Sequence, residues 1–192
     1  MDAENLLLPT NIGYVHVPKT GGTFIKKWFK DNGITIYNHG HATVEHCREH
    51  ARWWFATVRN PYHRMVSWYE FFKEKAEREL KRNNRPPGRY RDMLEVYNKG
   101  FKHFLTHGDD AVGYLHRTQS QWVEGVDCVI KLEELYSQWH NIYIRTGCET
   151  ALPSHRAKTK DISSYYDNYT RTLVQELYSE DFEQFGYDKD TI

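Results

Sequence analysis

Tyr14-Val-His-Val-Pro-Lys-Thr-Gly-Gly-Thr23 joins a short apolar strand to a helix through a pair of glycines, and this stretch decides the fold. Pro18 ends strand pairing because proline has no backbone N–H to donate. Gly21 and Gly22 allow a tight turn with inward-pointing N–H groups, and residues 23–29 continue at helical spacing. A loop of this kind in front of a helix N-terminus predicts a cradle for a phosphate-like anion.

Lys19 adds a positive charge at the mouth of this loop and distinguishes it from the common nucleotide cradle. In the Walker pattern the lysine follows the last glycine and precedes Ser or Thr, whereas Lys19 precedes both glycines. The loop is therefore related to that pattern without matching it. An ordinary strand-to-helix turn, in which the glycines only mark the turn, is the alternative that the loop alone leaves open.

A second apolar strand also ends at a positive charge. Residues 53–58 are Trp-Trp-Phe-Ala-Thr-Val, and Arg59-Asn-Pro follows them before an amphipathic helix. Ligands of open α/β sheets bind at the carboxyl ends of the strands, so Arg59 is expected at the ligand-binding edge. Ser67, two turns into the next helix, is within reach of the same anion. Two anion sites predict a ligand that is phosphorylated at both ends.

Apolar runs alternate with helical patterns along the chain. Strands are predicted near 12–17, 34–37, 53–58, 127–131 and 149–152, and helices near 22–32, 43–50, 62–82, 91–106, 132–146 and 166–179. The alternation is typical of a parallel sheet with helices on both faces. The predicted fold class is a three-layer, P-loop-like α/β fold in a single domain, residues 1–192. One apolar stripe at helical spacing is interpreted as core packing: Met65, Trp68, Tyr69, Phe72, Ala76 and Leu80.

His39-Gly-His41 follows the predicted strand 34–37, which places it on the same sheet edge as the two anion loops. A histidine can accept a proton from a hydroxyl near neutral pH, although a polar loop histidine is the simpler interpretation. A metal site is a further alternative because His46, Cys47 and His50 are close in sequence. No CxxC or HExxH pair occurs, so no metal is expected.

These motifs resemble those of the sulfotransferases that use 3′-phosphoadenosine 5′-phosphosulfate (PAPS), in particular their carbohydrate branch. In that family Pro-Lys-Thr-Gly-Gly-Thr surrounds the 5′-phosphosulfate, and Arg-Asn-Pro with a Ser eight residues after the Arg binds the 3′-phosphate. The resemblance implies these cofactor-binding residues: Pro18, Lys19, Thr20, Gly21, Gly22, Thr23, Arg59 and Ser67. Residues 119–122 and 178–187 are similar to the middle and closing segments of the family.

A similar His-Gly-His occurs in the uronyl 2-O-sulfotransferases, where the second histidine resembles a general base. The resemblance implies that His41 removes the acceptor proton, that Lys19 stabilises charge on the leaving oxygen, and that His39 orients the loop. The implied reaction transfers a sulfuryl group from PAPS to a hydroxyl of a sugar or glycan. The implied product nucleotide is 3′-phosphoadenosine 5′-phosphate (PAP), and the scheme needs no metal.

Two other functions are open at this point. A small-molecule kinase on a P-loop-like fold would use a similar phosphate cradle, but Gly-Lys-Ser/Thr and the acidic end of a Walker B strand are both missing. A binding module that keeps a PAPS pocket without turnover is the other alternative. His41 argues against that module, because binding alone needs no base.

Composition sets broader bounds. The 192 residues carry a formal net charge of zero, which demands no nucleic-acid partner. The three cysteines lack disulfide spacing and are interpreted as buried thiols of a reducing compartment. The first residues have neither an apolar run of ~20 residues nor the basic start of a secretion signal. A cytoplasmic location without a membrane segment is therefore expected.

Two loops have weaker predictions attached to them. Residues 83–88, Asn-Asn-Arg-Pro-Pro-Gly, break the helical pattern and form either a cover over the acceptor or a plain connection. Lys158, Thr159 and Lys160 either touch the nucleotide or face the solvent. The identity of the acceptor is not encoded in any readable motif.

Overall fold

The computed structural model describes residues 10–83, 88–154 and 161–192. Three strands in these ranges form one sheet: β1 (Thr10–Val15), β2 (Ala51–Val58) and β3 (Cys128–Lys131). Both pairings are parallel and the strand order is β1-β2-β3, with Tyr14 opposite Phe55 and Ala56 opposite Val129. The carboxyl ends of β1 and β2 therefore lie at the same edge of the sheet.

Helices alternate with these strands, which confirms the predicted α/β fold class. They are α1 (Gly22–Asp31), α2 (Pro61–Asn83), α3 (Gly88–Asn98), α4 (Phe101–Val112), α5 (Gln119–Trp122), α6 (Leu135–Gln138), α7 (His140–Thr146), α8 (Asn168–Leu177) and α9 (Ser179–Phe185). Phe55 and Ala56 point to opposite faces of the sheet and are both fully buried. Burial of both faces is what a three-layer arrangement requires.

The chain forms two compact units. The first is the described part of Met1–Arg59 and Gln121–Ala157, and the second is that of Asn60–Ser120 and Lys158–Ile192. The first unit contains the sheet with α1, α6 and α7, and the second contains α2, α3, α4, α8 and α9. That residues 1–192 act as a single domain stays a prediction.

The core of the first unit packs α1, α6 and α7 against one face of the sheet. Tyr14 and Phe55 contribute from the strands, with ring centroids 4.7 Å apart. Trp28 of α1 meets Trp139 in an edge-to-face contact at 5.3 Å. Each such buried side chain contributes about 1.5–3 kcal/mol through removal of apolar surface from water. This packing holds the start of α1 in place at the sheet edge.

The core of the second unit is built on the apolar stripe of α2. Five of its six predicted members are buried: Met65, Trp68, Tyr69, Phe72 and Ala76. The prediction for Leu80 is wrong, because its side chain is 41% exposed. Leu80 lies in the last turn of α2, where the stripe passes beyond the buried cluster.

Several predicted elements differ in extent from the observed ones. The strand at 34–37 is reduced to one parallel bridge between Gly13 and Tyr37. Residues 149–152 form no strand, and Leu152 is the member of this segment that packs into the core. The helix predicted at 43–50 is two 3₁₀ turns, Val44–His46 and Arg48–His50. The helix at 91–106 breaks at Gly100, whose φ of 93° is outside the helical range.

Further differences concern the helices after residue 118 and the cysteines. The helix predicted at 132–146 is divided into a 3₁₀ turn, α6 and α7, and neither α5 nor α9 was predicted as a helix. The cysteines are free thiols, but only Cys47 is buried, so the prediction is wrong for the half-buried Cys128 and Cys148.

Some predictions fall outside the described residues. Residues 1–9, residues 84–87 of the loop at 83–88, and Lys158, Thr159 and Lys160 are all in this group. Among the residues that are described, no helix combines the length and the apolarity needed to cross a bilayer.

Candidate functional site

The loop of residues 17–22 connects β1 to α1 at the carboxyl edge of the sheet. Gly21 is the N-cap of α1 with a φ of 86°, and Gly22 is the first helical residue. A glycine N-cap has no side chain with which to bond the first-turn amides, and the amides at a helix start have no intrahelical acceptor. The N–H groups of Gly22 and Thr23, with the positive end of the helix dipole, are therefore suited to an anion.

Lys19 has an unusual backbone conformation. Its φ of 70° lies in the left-handed region, and it is the one non-glycine residue of the described ranges with a positive φ. Such a conformation costs about 1–2 kcal/mol for a residue with a Cβ, and strain of this kind is common at functional sites. The Lys19 carbonyl accepts a hydrogen bond of 3.5 Å from Arg59 Nη1. The structure thus brings together Lys19 and Arg59, which lie 40 residues apart.

A buried network of hydroxyl groups supports the loop from below. Thr20 Oγ1 donates to the Val17 carbonyl at 2.8 Å, and Thr57 Oγ1 donates to the Thr20 carbonyl at 3.0 Å. The Tyr14 hydroxyl lies 2.9 Å from Thr57 Oγ1, and burial raises the pKa of Tyr14, so the phenol stays neutral. Thr20 is fully buried and its hydroxyl points into the protein. Only the backbone of Thr20 can therefore serve a ligand in the loop.

Removal of the Thr57 hydroxyl should destabilise the protein. Thr57→Val keeps the shape of the side chain but leaves the Thr20 carbonyl and the Tyr14 hydroxyl without this buried partner, which costs about 1–3 kcal/mol. The free energy of unfolding in urea would measure the loss. Thr35→Val, at an exposed threonine of the same unit, is the matched control and should change stability by less than about 0.5 kcal/mol. Equal stability of the two variants would contradict the role of the network.

The turn that contains His39 and His41 is tied to β1. The amide of Ala42 donates to the His39 carbonyl at 3.0 Å, and Gly40 has a φ of 55°. Asn38 Nδ2 donates to the Tyr14 carbonyl at 2.7 Å. The side chain of His39 is exposed, and its backbone carbonyl closes the turn. These bonds present His41 at the sheet edge, as the sequence predicted for this motif.

His41 makes a hydrogen bond that determines its tautomer. Its Nδ1 lies 3.1 Å from the carbonyl oxygen of His16. A carbonyl oxygen can only accept, so Nδ1 carries the proton of the neutral ring and the lone pair is on Nε2. His41 therefore has the form in which Nε2 can take a proton from a hydroxyl group.

His16, which was not identified from the sequence, lies between His41 and the loop. The ring centroids of His16 and His41 are 5.1 Å apart, and Trp122 meets His41 edge-on at 6.0 Å. The His16 ring also covers Gly22, because a Cβ at Gly22 would lie 2.0 Å from His16 Cδ2. The position of His16, at the end of β1 and two residues before Pro18, was the available sequence signal. Trp122 ends the segment 119–122, in which the sequence showed a resemblance but no role for this residue.

The pKa of His16 is lowered to about 4, mainly by burial of the ring. Positive charge on Lys26 of α1, on His41 of the turn and on Lys19 of the loop lowers it further. His16 is therefore neutral at pH 7. The ring adds no charge that would compete with Lys19 at the loop.

This pKa predicts a loss of stability in mild acid. The unfolded chain binds a proton at an ordinary histidine pKa of about 6.5, but the folded chain binds it only near pH 4. The contribution of His16 to the free energy of unfolding is therefore fully present above pH 6.5. It decreases as the pH falls to about 4, by about 2 kcal/mol for a partly exposed ring. Urea unfolding at pH 6.5 and at pH 4 should show this loss of stability in the parent but not in His16→Phe. His140→Phe, a substitution at an exposed histidine, is the control and should show the same loss as the parent. A pH dependence of stability in His16→Phe equal to that of the parent would contradict the assignment of this loss to His16.

Two further predicted residues belong to the loop and to the second unit. Pro18 is buried in the loop, and Ser67 is half-buried on α2 in the second unit. The joint role of Arg59 and Ser67 stays a prediction from the sequence. The other histidines of the region make separate contacts, His46 with Thr43 and His50 with the ring of Tyr37. No group of three or more His, Cys, Asp or Glu suited to a metal is found among the described residues.

Comparison with known proteins gives one clear result. A sequence model of the family described as "Sulfotransferase family" matches residues 9–188. The matched range contains the loop, the His39–His41 turn, Arg59 and Ser67. Comparisons with curated proteins and with solved structures find no match.

Proposed function

Because the chain belongs to the sulfotransferase family and is thus a sulfotransferase, we propose that its donor is PAPS and that its acceptor is a hydroxyl group of a carbohydrate. The observation that carries the proposal is the hydrogen bond from His41 Nδ1 to the His16 carbonyl. It joins the His41 ring to His16, which follows β1 and leads into the anion loop, and this supports the assignment of His41 as the base. The family supports sulfuryl transfer over the kinase alternative, and the carbohydrate acceptor rests on the resemblance of the motifs.

The loop fits the phosphosulfate end of such a donor. A Cβ at Gly21, whose φ is 86°, would be strained and would lie 2.7 Å from Leu132 Cδ1, and a Cβ at Gly22 would meet the His16 ring, so glycine fits both positions best. Neither glycine has a side chain of its own at the anion site. Residues 17–23 contain no acidic side chain, and Lys19 supplies a positive charge. Backbone donors and one cation are the groups that a phosphosulfate requires.

PAPS, when bound, supplies a sulfuryl group attached to a phosphate leaving group. Lys19 and the amides of Gly22 and Thr23 stabilise the negative charge that develops on the leaving oxygen. His41 Nε2 accepts the proton of the acceptor hydroxyl while a new S–O bond forms and the S–O bond to phosphate breaks. His41 Nδ1–H stays bonded to the His16 carbonyl, which stabilises the resulting imidazolium. The His39 carbonyl keeps the turn closed during this transfer.

A nucleotide with phosphates at both ends should bind more tightly than one with a single phosphate. The paired motifs support this expectation, with Arg59 and Ser67 assigned to the 3′-phosphate by resemblance. Loss of one charge-assisted contact costs about 1.5–3 kcal/mol, which is tenfold or more in affinity. Calorimetry with PAP and with AMP measures the difference.

A matched pair of arginine variants makes this test specific. Arg59→Ala should bring the affinity for PAP close to that for AMP, whereas Arg52→Ala, at an exposed arginine near the start of β2, should keep the preference. Equal affinity of the parent for PAP and AMP would contradict the assignment of the donor.

The acceptor class is tested by a screen with labelled PAPS. Sugars, oligosaccharides and small non-carbohydrate alcohols and phenols would be offered in parallel at equal concentration. Transfer of label to a sugar hydroxyl is the expected result. Transfer to phenols or simple alcohols alone would contradict the carbohydrate proposal, and tight PAP binding without any transfer would favour the binding-module alternative.

A further inference from the structure

We propose that His16 is a positioning residue whose ring holds the His41 imidazole at a fixed place relative to the anion loop. Part of this inference, that His41 is the base, rests on the proposed function. The packing of the three groups does not depend on it.

The His16 side chain contacts both parts of the site. On one side its ring lies 5.1 Å, centroid to centroid, from the ring of His41 at an interplanar angle of 30°. On the other side it lies so close to Gly22 that a Cβ there would be 2.2 Å from Nε2 and 2.0 Å from Cδ2. The ring therefore acts as a spacer of fixed thickness between the base and the first residue of α1.

The His16 ring adds to the attachment of His41. Its side chain is exposed and lies on a turn that contains Gly40, and the bond to the His16 carbonyl is 3.1 Å long. A hydrogen bond at an exposed site contributes about 0.5–1.5 kcal/mol, and packing against the His16 ring adds to it. Contact with the His16 ring restricts rotation of the His41 side chain. The tautomer with its lone pair on Nε2 then persists.

His16 is not suited to act as the base itself. Its Nε2 faces the backbone of Gly22, and the charged groups around it, Lys19, Lys26 and His41, are all cationic or able to become so. Its proton affinity is correspondingly low, and a weak base of this kind is a poor proton acceptor near neutral pH. The ring acts through its shape and through His41.

The first test measures the tautomer of the His41 imidazole by NMR, and it needs neither a sulfuryl donor nor an acceptor. Long-range ¹H–¹⁵N spectra of the imidazoles would be recorded for the parent, His16→Phe and His16→Ala, with His41→Ala to assign the signals. The parent and His16→Phe should show His41 as the single tautomer with the proton on Nδ1. His16→Ala should show averaged shifts of a mixture. A single tautomer in His16→Ala, or a mixture in the parent, would overturn the proposal.

The second test is kinetic, with the best acceptor from the screen. His16→Ala should lower kcat by roughly 10–100-fold through misplacement of the base, with the affinity for PAP changed by less than about threefold. His16→Phe should restore most of the rate. The double variant His16→Ala/His41→Ala should be no slower than His41→Ala alone, since His16 acts through His41.

Three outcomes contradict the proposal: parental kcat in His16→Ala, additive losses in the double variant, or a rate in His16→Phe as low as in His16→Ala. If His16→Ala does not fold, His16→Asn is judged by the same outcomes. A parent that fails to bind PAP would instead contradict the proposed function, and the NMR result on His16 would still stand.

Discussion

His41→Ala should lower turnover by roughly 10²–10⁴-fold, the range expected when a positioned general base is removed. The hydrogen bond from His41 Nδ1 to the His16 carbonyl leaves Nε2 as the accepting nitrogen, so no other atom of this ring can replace it. The affinity for PAP should be nearly unchanged, because the role proposed for His41 is toward the acceptor and not the nucleotide. Steady-state kinetics and calorimetry on the same preparations separate the two effects.

The controls for this variant are the two neighbouring histidines, His39 and His16. His39→Ala should lose less activity, since the His39 carbonyl that closes the turn is kept in the variant. His16 cannot take over the base role near neutral pH, because burial lowers its pKa to about 4. Near-parental turnover in His41→Ala would transfer the base role to another group.

Lys19→Ala should lower kcat by roughly 10²–10³-fold even at saturating PAPS, as loss of one preorganised charge-stabilising group does in other enzymes. Charge on the leaving oxygen is greatest in the transition state, so the loss appears in kcat more than in KM. Arg59→Ala should show the opposite pattern, with weaker nucleotide binding and a smaller change in kcat. Initial rates over a range of PAPS concentrations distinguish the two patterns.

The left-handed backbone of Lys19 provides a control for folding. Lys19→Gly also removes the charge, but glycine adopts a φ of 70° without strain, so this variant should unfold at a urea concentration no lower than the parent does. It should be as slow as Lys19→Ala. Lys30→Ala, which removes an exposed charge in the last turn of α1, should keep the parental rate. A change in KM alone for both Lys19 variants would contradict the catalytic role.

The anion loop, the parallel strands and the position of the His39–His41 turn were predictable because their signals are local. Pro18 and the two glycines define a strand-to-helix turn within a few residues, and apolar runs at strand length define β1 and β2. The carboxyl ends of parallel strands share one edge whatever the detailed packing, so the placement of Lys19, His41 and Arg59 at that edge followed from topology alone.

Boundaries were less predictable, because packing and turn geometry decide them. Gly100 separates α3 from α4 within a pattern that continues at helical spacing, and the segment predicted as a strand at 149–152 joins no ladder of the described residues. Leu80 has helical spacing and yet is 41% exposed. Helical periodicity shows which face of a helix is apolar. It does not show where the structure that packs against this face ends.

By itself, the sequence determined the α/β class, the loop with its lysine, and the histidine motif at the sheet edge. Only the tertiary structure decided how these groups operate. The tautomer of His41 depends on a carbonyl 25 residues away, the inward hydroxyl of Thr20 on Thr57, and the low pKa of His16 on its burial beside Gly22 and among three cationic groups. Each of these properties arises from contacts between residues that are distant in the chain, and the free energy of such contacts has no counterpart in local sequence patterns.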